Sequence, residues 1–142
     1  MKLEIEYNQL ANCINVLDKL NLKGLKSIHR TRLSKKLSET LQRVVEEQTE
    51  IQKEYFELDE EGNPITDDEH CKDREGYLKT MDEFTKERAV IDDGDSQVML
   101  RSVKQSLEES EEEWEGREAY AFEYLYTALE NGEKENKSED ES

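Results

Sequence analysis

The sequence predicts a mainly helical protein built on one long helix, with a small β-hairpin element and a disordered acidic tail. Apolar residues recur at spacings of three and four along most of the 142-residue chain, as they do in amphipathic helices. One series keeps a seven-residue repeat from Leu37 to Leu58, which is typical of a coiled-coil seam. Residues 131–142 are all Gly, Lys, Glu, Asp, Asn or Ser, which leaves nothing to bury. We therefore expect one helical domain over residues 1–130 and a disordered acidic tail over residues 131–142.

The N-terminal segment is predicted to form a short strand followed by a helix. Leu3 and Ile5 alternate with glutamates, a pattern that favours a strand. Asn8 is expected to cap a helix over about residues 9–20, because its side chain can accept a hydrogen bond from the first turn. Gly24 follows the end of that helix and provides a natural break.

The longest helix is expected over about residues 26–56, with Ser27 as its N-cap. Its apolar face steps by four and three residues and includes one polar position, Gln48. A helix of about 29 residues is roughly 43 Å long, which is more than a small core covers. We therefore expect its seam to meet a second copy of the chain or, failing that, the later helices. The seam residues are Leu37, Leu41, Val44, Gln48, Ile51 and Tyr55.

The rest of the chain is predicted from turn residues and from further apolar spacings of three and four. Gly62, Asn63 and Pro64 mark the tip of a small hairpin that joins residues 56–58 to residues 65–66. Later elements are a third helix over residues 76–87, a strand over 89–91, a fourth helix over 97–109 and a last helix over 117–129.

Composition excludes several classes of protein. Apolar residues make up 33% of the chain and charged residues 40%, and the formal net charge is −17. No run of 18 apolar residues is present, so we expect no membrane span. Too few apolar residues are available to line both a core and a deep cavity, which argues against a large enclosed active site. Cys13 and Cys71 stand far apart in unrelated contexts, so we expect reduced thiols and no disulfide framework.

No sequence motif indicates catalysis. The chain contains no phosphate-cradling loop, dinucleotide fingerprint or nucleophile elbow. Residues 67–71 hold acids, a histidine and a cysteine, but without the spacing of a metal site. We therefore expect a protein that is not an enzyme and that has no catalytic residue, metal site or cofactor.

Charge is distributed unevenly along the chain. Residues 19–43 contain eight basic residues and one acid, and residues 44–142 contain 11 basic residues and 33 acids. The basic segment either pairs with acidic helices of the same fold or faces a partner. Direct binding to nucleic acid is not expected, because the whole molecule is strongly acidic and the basic segment has no aromatic residue for base stacking.

The second half of the long helix and the turn after it are predicted to form an acidic ridge. Rows of carboxylates on a rigid helix resemble phosphates in charge and would suit a basic groove. The alternative is that these acids serve solubility alone. The acidic ridge consists of Glu46, Glu47, Glu50, Glu54, Glu57, Asp59, Glu60 and Glu61.

Several stretches of the chain together resemble a known family. They are residues 20–24 with Ser27, residues 30–33, residues 54–55, residues 58–65, and Gly116 with residues 119–120 and 124–126. These stretches are similar to a family of small proteins from phages and prophages of Gram-positive bacteria, catalogued as domain of unknown function 1617. The resemblance covers about residues 2–130 and implies no activity, cofactor or catalytic residue. It implies a phage protein that acts in the cytoplasm of the infected bacterial host, or in the virion.

Two functions follow from the charge and from this resemblance. The first is inhibition of a basic nucleic-acid-handling host protein, such as a defence protein, by charge mimicry at the acidic ridge. The alternative is a role in phage morphogenesis, as an assembly chaperone or a minor virion component, which the long seam favours. Both expect a host or phage protein as the partner, and both allow a homodimer.

Overall fold

The computed structural model describes residues 1–92 and 94–141, with side chains described as far as Lys134. Within that range the chain forms five α-helices and one two-stranded antiparallel sheet, which confirms the predicted mainly helical fold with one long helix. In chain order the elements are β1 (Leu3–Glu6), α1 (Leu10–Lys19), α2 (Leu25–Tyr55), α3 (Arg74–Thr85), β2 (Arg88–Ile91), α4 (Ser96–Glu108) and α5 (Arg117–Glu141). Short 3-10 turns cover Tyr7–Gln9 and Asp68–His70.

The core lies between β1, α1, the first half of α2, α4 and α5. It is built largely from leucines that recur every three or four residues, so that each helix turns one apolar stripe inward. Full burial of one such side chain contributes about 1.5–3 kcal/mol. The fully buried leucines and isoleucine are Leu3, Ile5, Leu10, Leu17, Leu33, Leu37, Leu100, Leu107, Leu125 and Leu129.

The sheet joins two strands that are far apart in sequence. Leu3 lies opposite Ile91 and Ile5 lies opposite Ala89, and all four side chains are buried. On the outward face Glu4 lies opposite Val90 and Glu6 opposite Arg88, and Glu4 forms a diagonal ion pair of 3.1 Å with Arg88. Both strands were predicted individually, and the structure shows that each completes the other.

Two helix N-termini differ from the sequence prediction. Asn8 does not cap α1, because the chain leaves β1 through a 3-10 turn that already contains Asn8, and Gln9 takes the N-cap position. Ser27 does not cap α2, because the helix begins earlier, after Gly24. Gly24 has a φ of 64°, a left-handed conformation that glycine adopts without steric cost, so the turn at Gly24 sets the start of α2.

Residues 45–87 form an arm, which comprises the second half of α2, the predicted hairpin and α3. Leu58 bridges to Pro64, which confirms the hairpin, and Phe56 bridges to Cys71. Phe56 is the one buried residue in the arm, all of which the structure describes. Its ring meets that of Tyr77 edge-on at 4.8 Å between centroids. A small aromatic cluster thus holds the arm together, and the end of α3 meets the core, where the Phe84 ring lies 5.4 Å from that of Tyr7.

The last helix continues into the segment that was predicted to be a tail. Asn131, Gly132 and Glu133 belong to α5, Gly132 is buried, and Glu133 pairs with Lys104 at 2.5 Å. The described helix thus continues past the predicted boundary at residue 131, and the Glu133 side chain pairs with Lys104 of α4. The side chains from residue 135 onward, and Ser142 entirely, lie outside the described residues, so disorder there stays a prediction.

Gly132→Ala is expected to lower the melting temperature of the protein. A Cβ at Gly132 would overlap the backbone oxygen of Lys2, so α5 and β1 would have to separate. Overpacking of this kind costs about 1–3 kcal/mol, which exceeds the gain of up to about 1 kcal/mol in helix propensity. Gly94→Ala is the matched control, since a Cβ there meets no atom within 4 Å of the described structure. Equal melting temperatures for both variants would contradict the close approach of α5 to β1.

Candidate partner-binding surface

The heptad seam of α2 faces the interior of this chain. Leu37 is fully buried and Val44 is 6% exposed, and Leu41 is half-buried against the same core. Self-association through this half of the seam is therefore wrong as a prediction, because these side chains already pack against α1 and α4. In the second half of the seam Gln48, Ile51 and Tyr55 are half-buried, and the Tyr55 hydroxyl lies 2.9 Å from the Thr80 hydroxyl of α3.

The acidic ridge is exposed at all eight of its positions. Glu46, Glu50 and Glu54 stand one turn apart on α2, with a rise of about 6 Å between neighbours. Glu50 pairs with Lys53 at 3.2 Å, and Glu47 pairs with Arg43 at 3.3 Å. Glu46 and Glu54 have no ion pair or hydrogen bond to the part of the chain that the structure describes.

The ridge continues from α2 into the hairpin, where one of its acidic side chains has a structural role. The Asp59 carboxylate accepts hydrogen bonds from the backbone N–H groups of Glu61 and Asn63, both at 2.9 Å. Gly62 follows with a φ of 85°, which closes the turn. Asp59 thus fixes the loop, and the side chains of Glu60 and Glu61 remain exposed at its tip.

The arm as a whole concentrates negative charge. Residues 45–87 contain 16 acidic and 5 basic residues, a net charge of −11 out of −17 for the whole chain. All 16 acidic residues are exposed, so solvent and counterions reach their side chains. A basic partner that docks here would displace those counterions and gain electrostatic attraction.

The basic segment, residues 19–43, is partly neutralised within the fold. Lys19 pairs with Glu118 and Lys26 with Glu109, both at 2.6 Å. The hydrogen bond from Lys26 lowers the pKa of Glu109. These pairs connect the end of α1 with the start of α5, and the start of α2 with the end of α4, as the internal-pairing alternative expected.

Other basic residues of the same segment face solvent. Arg30 is an exception, since its guanidinium donates to the carbonyl oxygens of Leu17 at 3.0 Å and Leu20 at 2.5 Å and so caps the end of α1. Within residues 19–43, all of which the structure describes, the exposed basic side chains without a charged partner are Lys23, Arg32 and Lys35.

A histidine–aspartate pair holds the loop that closes the arm. His70 Nδ1 lies 2.5 Å from the Asp67 carboxylate, which also accepts the His70 backbone N–H at 3.0 Å. The hydrogen bond with Asp67 raises the pKa of His70 above its ordinary 6.5, and the bond with His70 lowers the pKa of Asp67 below its ordinary 3.8. Glu57 of the ridge lies 3.9 Å from the other ring nitrogen.

Asp67→Asn is expected to return the pKa of His70 towards 6.5, as measured by the NMR titration of its ring protons. The raised His70 pKa contributes stability that is lost as pH rises through that pKa, and the lowered Asp67 pKa contributes stability that is lost as pH falls through it. The pair therefore stabilises the loop most between about pH 3.8 and 6.5. Asp68→Asn is the control, and an equal change in both variants would rule out a specific pair.

A separate groove lies between the sheet and α5. It encloses about 610 Å³, and its walls include Lys2, Glu4, Arg88 and Tyr120. Glu4 accepts ion pairs from Lys2 at 3.2 Å and Arg88 at 3.1 Å, and the bonds from these two cations lower its pKa. The charged groups at the head of the groove thus pair with one another.

The described part of the chain does not bring its metal-ligating residue types together for metal binding. Among its His, Cys, Asp and Glu residues no group of three is placed to hold a metal ion. Burial raises the pKa of the Cys13 thiol to about 12, so Cys13 is a core residue and not a nucleophile. The described helices include none that is long and apolar enough to cross a membrane.

Together the fold and this surface define an acidic, mainly helical protein whose distinctive feature is a carboxylate-rich arm. Comparison with protein-family models, with curated proteins and with solved structures finds no match to this chain.

Proposed function

We propose that this protein binds a basic, nucleic-acid-handling protein through the acidic ridge and thereby occupies its nucleic-acid groove. The observation that carries the proposal is the exposed row of carboxylates at the end of α2. Glu46, Glu47, Glu50 and Glu54 span about 12 Å of helix axis, which is a mean spacing of about 4 Å between neighbouring carboxylates. A single DNA strand presents one phosphate per about 3.4 Å of its axis. A rigid helix therefore offers charge at nearly the density that such a groove accepts.

The acidic residues of the ridge destabilise the helix that carries them, and this cost supports a role in binding. Like charges four residues apart on a helix are destabilising by about 0.2–0.5 kcal/mol per pair. Glu46 and Glu50 form one such pair, and Glu50 and Glu54 form another. Glu54 also lies in the last turn of α2, where the helix dipole disfavours an anion. Solubility alone would be served as well by acids placed elsewhere on the surface.

The resemblance to small phage proteins supplies the setting for this function. In that setting the basic partner is a host protein, such as a component of antiviral defence, and the site of action is the cytoplasm of the infected bacterium. The second candidate is an assembly chaperone or a minor virion component. The exposed apolar side chains of the arm favour it, namely Val45, Leu58 and Leu78, which are 51%, 48% and 55% exposed.

The proposal is tested by capture of the partner. The protein is used as bait in a lysate of a susceptible bacterium and, in parallel, with purified virions. The proposal expects a basic protein from the lysate, released by its own nucleic acid and by salt. A variant with Glu46, Glu50 and Glu54 changed to Lys is the control bait and should capture much less of it. A capsid or tail protein that binds at high salt and ignores nucleic acid would instead support the assembly function.

A further inference from the structure

The outward face of α2, opposite the core, carries opposite charges on its two halves. Exposed residues recur there every three or four positions, so they form one stripe along the helix. Arg32 and Lys35 lie on the first half, and Glu46 and Glu50 lie on the second half. No described element covers this stripe. Its members are Ile28, Arg32, Lys35, Glu39, Gln42, Glu46 and Glu50.

We propose that this stripe is the contact between two copies of the chain, whose α2 helices pair antiparallel about a twofold axis near residue 41. A twofold interface must be self-complementary, because each copy offers the same patch. The alignment places Arg32 of each copy level with Glu50 of the other, and Lys35 level with Glu46 and Glu47. Glu39 lies level with Arg43, which flanks the stripe and pairs with Glu47 of its own chain. Opposite charges of the stripe thus face each other at both ends.

The order of charges along α2 supports a second helix as the occupant. The helix dipole favours acids in the first turn and bases in the last. The first turn of α2 has no acid and includes Lys26, and the basic residues precede the acidic ones along the stripe. This order works against the isolated helix. An antiparallel neighbour reverses that disadvantage, because it brings acids to the N-terminal half and bases to the C-terminal half, and it also opposes the two dipoles.

A second copy fits the whole stripe better than other occupants. Nucleic acid would gain from Arg32 and Lys35 but would be repelled by Glu46 and Glu50 on the same face. The two copies carry −17 each, but ions screen charges beyond about 8 Å at physiological salt. Charge pairs across the contact are closer than that and keep their attraction. The stripe contains few apolar side chains, so the dimer is expected to be weak and to dissociate at low concentration.

The dimer covers part of the acidic ridge and therefore competes with any basic partner that binds there. The proposal does not depend on that partner, since the protein alone tests it. Sedimentation is measured for the wild type and for two reversed variants at concentrations from about 10 μM to 1 mM. One variant has Arg32 and Lys35 changed to Glu, and the other has Glu46 and Glu50 changed to Lys. Circular dichroism shows whether each variant keeps its helicity.

The expected result has three parts. The wild type dimerises reversibly, and either reversal alone raises the dissociation constant at least about tenfold. A chain that carries all four reversals regains the dimer, because the two halves of the stripe have exchanged charge and match again. A wild type that stays monomeric throughout, or a dimer that survives either reversal, overturns the proposal. Failure of the fourfold variant to recover, with its helicity intact, overturns it as well.

Discussion

Leu37→Ala is expected to lower the free energy of unfolding by about 2–5 kcal/mol. Leu37 is fully buried among core residues, so truncation removes apolar contact and leaves a cavity. Such a loss is a large part of the about 5–15 kcal/mol that stabilises a domain of ordinary size. Urea unfolding followed by circular dichroism measures it. The expectation follows from the direction of the heptad seam, whose first half faces the interior of the same chain.

Leu78→Ala is the matched control for this change. The same atoms are removed from a leucine of α3 that is 55% exposed, so the expected loss is within about 0.5 kcal/mol. A small effect of Leu37→Ala, accompanied by loss of a dimer, would instead place the seam at a contact between copies.

Reversal of Glu46, Glu50 and Glu54 to Lys is expected to slow association with the basic partner at least about tenfold at low salt. The carboxylates act at a distance during encounter, so the association rate constant changes more than the dissociation rate constant. Stopped-flow or biosensor kinetics measure both constants, at concentrations where the protein is monomeric. Raising the salt should slow the wild type steeply and the variant little, because ions screen exposed charges.

Reversal of Glu111, Glu113 and Glu115 to Lys is the matched control for the ridge. It changes the net charge of the chain by the same amount, and these three exposed side chains lie between α4 and α5, outside the arm. The ridge variant should be much slower than this control. If both variants slow association equally, total charge and not the ridge governs the encounter.

The positions of the helices could be predicted from the sequence, but the elements that pack against each helix face could not. Spacing alone shows that Leu37, Val44 and Tyr55 lie on one side of α2. It does not show whether that side meets another copy, α4 or α3, because all three would bury the same stripe. In the structure α1 and α4 pack along the first half of α2, and α3 packs along the second half.

Contacts between residues that are far apart in the chain could not be predicted from the sequence either. The two strands are more than 80 residues apart, and neither contains a signal that selects the other. The ion pair of Lys26 with Glu109 could not be predicted for a similar reason, since Lys26 could pair with many chemically equivalent carboxylates in this acidic chain. The exposure of the ridge, by contrast, could be predicted, because carboxylates four residues apart on a helix cannot share a core.

The His70 pair left a local signal that sequence reasoning passed over. Asp67 precedes His70 by three residues, the spacing at which a carboxylate caps a short helical turn. Residues 67–71 were weighed only as metal ligands, for which their spacing is wrong, and the capping arrangement was not considered.

The most direct test of the ridge as the partner-binding surface is an NMR titration of the isotope-labelled protein with its unlabelled basic partner. If the ridge is the contact, amide signals of residues 46–61 shift or broaden first, and those around the groove between the sheet and α5 stay unchanged. Changes confined to Lys2, Arg88 and Tyr120 in that groove, with the ridge unaffected, would contradict the account.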